Sequence, residues 1–314
     1  MNKIIQFSKI SKKDVHLAGG KGASLGEMTQ VKIPVPEGFV ITAGVFDEFL
    51  LETDLYQDIK AQLKKVNYQD TNSVDKTSNV IRDLINDAEF PTELAKEIVQ
   101  DFKKLKCKYV AVRSSATAED SSTASWAGEL DTFLNTTEKT LTDNIKKCWS
   151  SLFTPRAIFY RKEKKLLNAK VSVAVVIQKM IQSEISGITF TVHPVTKDKN
   201  QMIIEAGYGL GEAIVSGSIT PDSYVVDKRD FSILDINIAE QSRKLIQKSV
   251  KGDNKWVKIP KKEGEKQVLS GKQIIELAKL CAKIEKHYKF PCDIEWAFEK
   301  SKFYITQSRP ITTL

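Results

Sequence analysis

The chain has 314 residues, 41% hydrophobic and 28% charged, with 48 Lys and Arg against 40 Asp and Glu, a formal net charge of +8. That length and apolar content suffice for one large domain or two ordinary ones without cross-links, and they exclude a disordered chain. No apolar run approaches the ~20 residues that cross a bilayer, and MNKIIQFSKISKKD has neither the apolar stretch nor the cleavage site of a signal peptide. Cys107, Cys148, Cys281 and Cys292 lie far apart without metal-ligand spacing, which predicts four reduced thiols and a cytoplasmic location. Lysines interleaved with acids, as in KKLLNAK and KKEGEK, predict a solvated surface with a mild preference for anions rather than a nucleic-acid stripe.

In chain order, the first unusual segment is AGGKGASLGEM (18–28), where four glycines surround Lys21. Such a backbone can approach an anion closely with a charge at its centre. The spacing is not that of a Walker A loop, and a glycine turn capping a helix from about Ala23 is the alternative. The polar stretch 66–80 predicts a long surface loop. Leu94, Ile98, Val99, Phe102 and Leu105 mark an amphipathic helix, and KYVAVR (108–113) a short strand.

That strand ends in Arg113 and opens into a run of small and hydroxylic residues, followed by Gly128 and Thr132. A segment that buries little and offers many donors suits a flap over a phosphate chain, and a guanidinium suits bidentate phosphate contact. An ordinary polar loop with a salt-bridged arginine is the alternative. Leu141, Ile145, Trp149 and Leu152 predict a second amphipathic helix, and 171–177, 187–192 and 201–206 predict strands.

The glycine run in IEAGYGLGEAIVSGSITPD (204–222) does not fit the dinucleotide pattern, and close packing explains it as well as ligand contact. A charged loop is expected over 248–268, then a helix with Ser270 and Gln273 as its capping box. Strands 293–298 and 303–307 predict a hairpin. A three-residue loop, Lys300–Lys302, would set Glu295 opposite Gln307, ~5 Å apart at the β-carbons. Two such oxygens suit Mg²⁺, which takes one or two protein ligands when phosphates supply the rest. Arg309 either offsets Glu295 or reaches a phosphate. Helices dominate the first half and antiparallel-looking strands the second, so the fold class is α+β in two lobes, 1–180 and 181–314.

GGKGASLGEM, VPEGFVITA, AVRSSATAED with WAGELDTFLN, GYGLGEAIVSG, and DIEWA with ITQSRP together resemble the nucleotide-binding domain of the phosphoenolpyruvate synthase and pyruvate phosphate dikinase superfamily, which includes rifampin phosphotransferase. The resemblance runs collinearly from about residue 15 to 311. It implies an ATP-grasp fold with ATP between two lobes. Lys21 and Arg113 would bind phosphates as the catalytic pair, with Gly128 and Thr132 in the flap across them. Gln178, just after the buried strand, would lie at the adenine-side hinge. Glu295 and Gln307 would hold Mg²⁺, and Arg309 would contact phosphates.

The family cleaves ATP to AMP and phosphate and passes a phosphoryl group to a histidine on a swivelling domain, which serves an acceptor such as pyruvate or an antibiotic. The phosphohistidine motif and the acceptor domain are absent from these 314 residues, so both are expected as partners, in cis or on another chain. The chain is then either an excised N-terminal domain or a free-standing subunit, with a compactness nearer the rifampin phosphotransferase type. His193, before Pro194, is expected to shape a turn, and His16 and His287 lack glycine-rich neighbours. Two other functions stay open: a nucleotide sensor without catalysis, and a carboxylate–amine ligase that makes ADP.

Overall fold

The computed structural model describes residues 2–117, 131–164, 172–247 and 254–312. It is an α+β protein whose two main sheets are antiparallel. The chain divides into two compact units, Met1–Glu27 with Glu37–Met180, and Met28–Pro36 with Ile181–Leu314.

Along the first stretch run β1 (Ile4–Gln6), α1 (Val15–Gln30), β2 (Gly38–Ile41), α2 (Ala43–Glu52), α3 (Leu55–Lys64), α4 (Thr71–Asp87) and α5 (Thr92–Lys104). There follow β3 (Val110–Ala116), β4 (Thr132–Thr136), α6 (Leu141–Ser150), α7 (Pro155–Glu163) and β5 (Val173–Lys179). The strands order as β1-β2-β5-β3-β4. β5 is the central strand, and its residues Val173–Gln178 are all buried, as an apolar run requires. One sheet face, with Phe39, Val112, Val175 and Ile177, shares a core with the helices, where Trp149 stacks on Phe90 and leans on Phe49. That helical layer turns its aromatic mass inward and its lysines out.

The second stretch holds β6 (Ile185–Phe190), β7 (Gln201–Tyr208), α8 (Glu212–Val215), β8 (Asp222–Asp227), β9 (Ile233–Asn237), β10 (Arg243–Gln247) and β11 (Asn254–Lys258). After them come α9 (Lys261–Gly264), α10 (Gly271–Tyr288), β12 (Cys292–Glu299) and β13 (Lys302–Pro310). Six strands order as β13-β12-β6-β7-β8-β9, and β10-β11 forms a separate ribbon. α10 packs on β7, β8 and β12, burying Ile274, Leu277, Cys281 and Ile284. Its capping box forms as expected: the Ser270 hydroxyl accepts the Gln273 N–H, and the Gln273 side chain accepts the Ser270 N–H.

Several expectations are corrected. The polar stretch 66–80 is not a long loop, because α4 starts at Thr71 with the Asp70 carboxylate accepting the Asn72 N–H. Val74, Thr77, Ser78, Ile81 and Ile85 lie on one buried face, and packing supplies what weak helix propensity withholds. The expected loop at 248–268 contains β11 and α9, its residues 248–253 lying outside the described residues. The first glycine segment does not begin a helix near Ala23. α1 runs from Val15 and kinks at Gly19, where φ is 67° and ψ 175°. Gln178 is within β5 rather than after it.

The four cysteines are free thiols, three of them buried. No helix among the described residues is long and apolar enough to cross a membrane.

Candidate functional site

In the first unit the site residues gather on one face of the sheet. Arg113 pairs with Val176 of β5 on one side and with Thr132 of β4 on the other. Gln178 pairs with Ala111 and Gly38, so it shares Arg113's face two residues along. Both side chains are buried, at 7% and 2% exposure, and Arg113 Nη1 donates to Gln178 Oε1 at 3.2 Å. With its oxygen turned to the guanidinium, the Gln178 amide nitrogen points elsewhere, buried and without a hydrogen-bond partner among the described residues. A buried donor without an acceptor is costly, and an acceptor-rich ligand such as a phosphate or a base would satisfy it.

Lys21 reaches this face through α1. The glycines here allow contact rather than only flexibility: Gly19 has a left-handed φ, and a β-carbon there would overlap Ser115. The Ser115 hydroxyl donates to the Ala18 carbonyl at 2.9 Å and accepts the Gly22 N–H at 3.2 Å. The kink therefore seats the restarted helix directly on β3, with half-buried Lys21 in its first turn. The helix start carries partial positive charge and adds to that of Lys21. The thiol of buried Cys148 is pushed well above its usual range by burial and by Asp131, while the charges of Lys21 and Arg113 both oppose that shift. Thr132 is exposed opposite Arg113. Gly128 lies outside the described residues.

In the second unit, Glu295 is paired directly with Gln307, but not through the expected three-residue loop. The turn has two residues, Lys300 and Ser301, at φ 50° and 62°, as a two-residue hairpin turn demands. Glu299 faces Lys302, and a bulge beyond Trp296–Ile305 leaves Thr306 unpaired, restoring Glu295 to Gln307. Two pairs further, on the same face, Asp293 faces Arg309, whose Nε and Nη2 lie 2.8 and 2.7 Å from Asp293 Oδ2. Arg309 is thus engaged with Asp293, a partner not anticipated from the sequence although the same register contains it.

The row extends across the sheet: Glu295 pairs with Ile188, and Ile188 with Glu205, so Glu205 lies on the same face two strands away. Burial raises the Glu205 carboxyl above its ordinary value, and Asp293 adds to that. Asp293 is raised too, by burial first, with Arg309 opposing and Glu295 adding. This face therefore concentrates negative charge, which suits a cation. Among the described residues no three His, Cys, Asp or Glu side chains gather as a metal cluster. The donor set on offer is one carboxylate and one amide oxygen, which fits Mg²⁺ only where phosphates supply further ligands.

The second glycine run, 207–211, is a packing device. Gly209, at φ 88°, bridges to Leu245 of β10, where a β-carbon would collide with the Leu245 carbonyl. Its own carbonyl accepts the hydroxyls of Ser183 and Ser186. His193 shapes a turn: its Nδ1 accepts the N–H groups of Val195 and Thr196.

These features converge on one kind of protein, a nucleotide-binding domain with a cationic sheet face and an oxygen-donor hairpin. Residues 15–314 match the model of the pyruvate phosphate dikinase AMP/ATP-binding domain, and the chain belongs to that family. It is 46% identical over 322 residues to a probable phosphoenolpyruvate synthase of Methanocaldococcus jannaschii, covering 100% of this chain and 27% of that one. It is 46% identical to a probable phosphoenolpyruvate synthase of Archaeoglobus fulgidus, covering 99% of this chain and 42% of that one. Identity to the rifampicin phosphotransferase of Bacillus subtilis is 37%, covering 99% of this chain and 36% of that one. The chain thus spans less than half the length of these relatives. A solved structure, D-alanyl-alanine synthetase A from Vibrio cholerae, overlaps at a TM-score of 0.31 with 12% identity, covering 75% of this chain and 54% of that one, too slight a likeness to bear on the site.

Proposed function

We propose that this chain binds Mg-ATP in an ATP-grasp arrangement and provides the phosphoryl-donor half-reaction of a phosphoenolpyruvate synthase-like enzyme. The observation that carries this is the buried pair Arg113–Gln178, a guanidinium locked in place beside an amide N–H₂ that has no acceptor among the described residues. A polyphosphate or its base answers both needs. In this reading Lys21 and Arg113 neutralise charge on the transferring phosphates, and the N–H groups of Gly20 and Lys21 at the helix start add backbone donors. Gln178 supplies its free donor to the nucleotide, and Gly128 and Thr132 close over the phosphates.

Glu295 and Gln307 hold Mg²⁺, and Arg309, oriented by Asp293, contacts the phosphates. When bound, Mg²⁺ offsets phosphate charge. Phosphoryl transfer depends on such positioning and charge stabilisation more than on covalent help from the protein. The lobes of this arrangement are 1–180 and 181–314. One phosphoryl group of ATP passes to a histidine on a separate swivelling domain and another is taken by water, so that ATP ends as AMP and phosphate. The reading places the chain in the cytoplasm.

The test mixes this chain and Mg-ATP with a separately made phosphohistidine domain from a relative. Formation of AMP and an acid-labile phosphoprotein is expected. ADP as product, or tight ATP binding with no turnover beside a competent histidine domain, would overturn the half-reaction.

A further inference from the structure

An uninterrupted helix would join the Ala18 carbonyl to the Gly22 N–H, four residues on. In α1 that bond is opened by the kink at Gly19, and the Ser115 hydroxyl stands in it. It donates to the Ala18 carbonyl at 2.9 Å and accepts the Gly22 N–H at 3.2 Å. Ser115 comes from β3, 93 positions from Gly22, and is fully buried.

Gly19, at φ 67° and ψ 175°, takes the N-cap place of the restarted helix, which makes Gly20, Lys21 and Gly22 its first residues. An N-cap side chain normally accepts the N–H of the second or third residue. Gly19 has none to offer, and a β-carbon there would overlap Ser115. The cap is therefore supplied from another strand. Ser115 and Arg113 are two apart on β3, so both point to the side on which α1 lies. A β-carbon at Gly22 would touch Val40 of β2 and Val176, the β5 partner of Arg113, so the helix start rests directly on this face.

We propose that Ser115 is a positioning residue for the phosphate site: by taking both ends of the interrupted helical bond it keeps α1 kinked at Gly19 and holds Lys21 along the face of Arg113. Without the hydroxyl, the Ala18 carbonyl and the Gly22 N–H are left buried without their partner or close on each other. Closing them makes the helix continuous, returns Gly19 to helical dihedrals and turns Lys21 from its place. The kink stands on unit-one geometry alone. Its link to nucleotide rests on the reading of Lys21 as a phosphate contact.

The test compares S115A with S150A, which removes a buried hydroxyl that bonds Lys147 within α6. Each is made with and without K21A. S115C, a weaker donor and acceptor, takes the place of S115A if that variant melts far below S150A. Without nucleotide, the backbone NMR shifts of Gly19 and Gly22 are followed, and S115A is expected to lose the signature of the kink while S150A keeps it. Calorimetry then gives the Mg-ATP affinity. S115A is expected to weaken it about fivefold in the parent chain and by less than about twofold in the K21A background, with S150A near the parent.

A kink signature that survives in S115A overturns the proposal. So does a loss of affinity as large in the K21A background as in the parent, because the hydroxyl then acts on the fold at large rather than through Lys21. If the kink is lost and Mg-ATP affinity holds in S115A but falls in K21A, the functional role is overturned. If K21A binds Mg-ATP like the parent, the reading of Lys21 fails and takes that functional role with it, and the Gly19 shifts alone decide whether Ser115 sets the kink.

Discussion

Glu295 faces Gln307 across the β12–β13 hairpin because Thr306 is bulged out of the ladder. From the two-residue turn to Trp296–Ile305 the pairing is regular, and continued it would set Thr306 opposite Glu295. Gln307 would then turn to the α10 side of the sheet. The bulge moves Gln307 and Arg309 onto the face of Glu295 and Asp293 together, so one extra residue assembles both the oxygen pair and the ion pair.

The oxygen pair and the buried guanidinium should each matter for nucleotide binding. Glu295→Ala and Arg113→Ala are expected to weaken Mg-ATP binding about tenfold or more, since each leaves charge without its partner. Glu295→Ala should lose this effect when Mg²⁺ is withheld, whereas Arg113→Ala should not. Calorimetry with and without Mg²⁺ separates the two, and parent-like affinity in both variants would end the site assignment.

The turn of the same hairpin can be improved. Lys300 and Ser301 both hold positive φ, which side chains other than Asn, Asp and Gly adopt at a cost. Replacing them by Asn-Gly should stabilise the chain by about 1 kcal/mol and raise the thermal midpoint. A lower midpoint would show that the turn side chains contribute contacts that outweigh the strain.

Gly19 should tolerate no side chain. Gly19→Ala places a methyl on Ser115 at a left-handed φ, so α1 must lift from β3. A loss of about 2 kcal/mol or more is expected, with Mg-ATP binding reduced because Lys21 moves with the helix. By contrast Gly217→Ala meets open space and should cost only the strain of its positive φ. Chemical denaturation of both variants checks the contrast.

Acid stability has a named contributor. Asp227 accepts side-chain bonds from Arg229 and its N–H, and these hold the carboxyl at about 2 instead of 3.8. Since the folded value lies below the unfolded one, this stabilisation is full above about 3.8 and is lost as pH falls toward about 2. In Arg229→Ala the residue-229 N–H bond remains, so the Asp227 carboxyl should titrate above its parent value by NMR but still below 3.8, and the acid unfolding limb should begin at higher pH. An unmoved Asp227 midpoint would refute the pairing.

Much of this architecture was legible from local pattern. The apolar run around Val173–Ile177 and the Ser270–Gln273 box follow from periodicity and spacing, whereas Glu295 meets the expected Gln307 by a different route, a two-residue turn and the bulge at Thr306. α4 was hidden because Thr, Asn, Ser and Asp favour turns locally, and it is the packing of α3, α6 and α7 against this helix, with Val74, Ile81 and Ile85 buried, that makes it worth forming. The glycine motifs were visible but their purpose was not, since contact of Gly19 with Ser115 or of Gly209 with Leu245 joins segments distant in sequence.

Motifs and hydrophobic period are local properties, so they suffice for the α+β class, the family, and the choice of candidate phosphate and metal residues. Tertiary structure alone decided what each residue faces. Arg113 is locked by Gln178 across 65 positions, Arg309 is committed to Asp293, and Glu205 joins their row through β6. Register and bulges set these pairings, and a one-residue slip reverses the face of every side chain beyond it, so they emerge only when the strands are assembled.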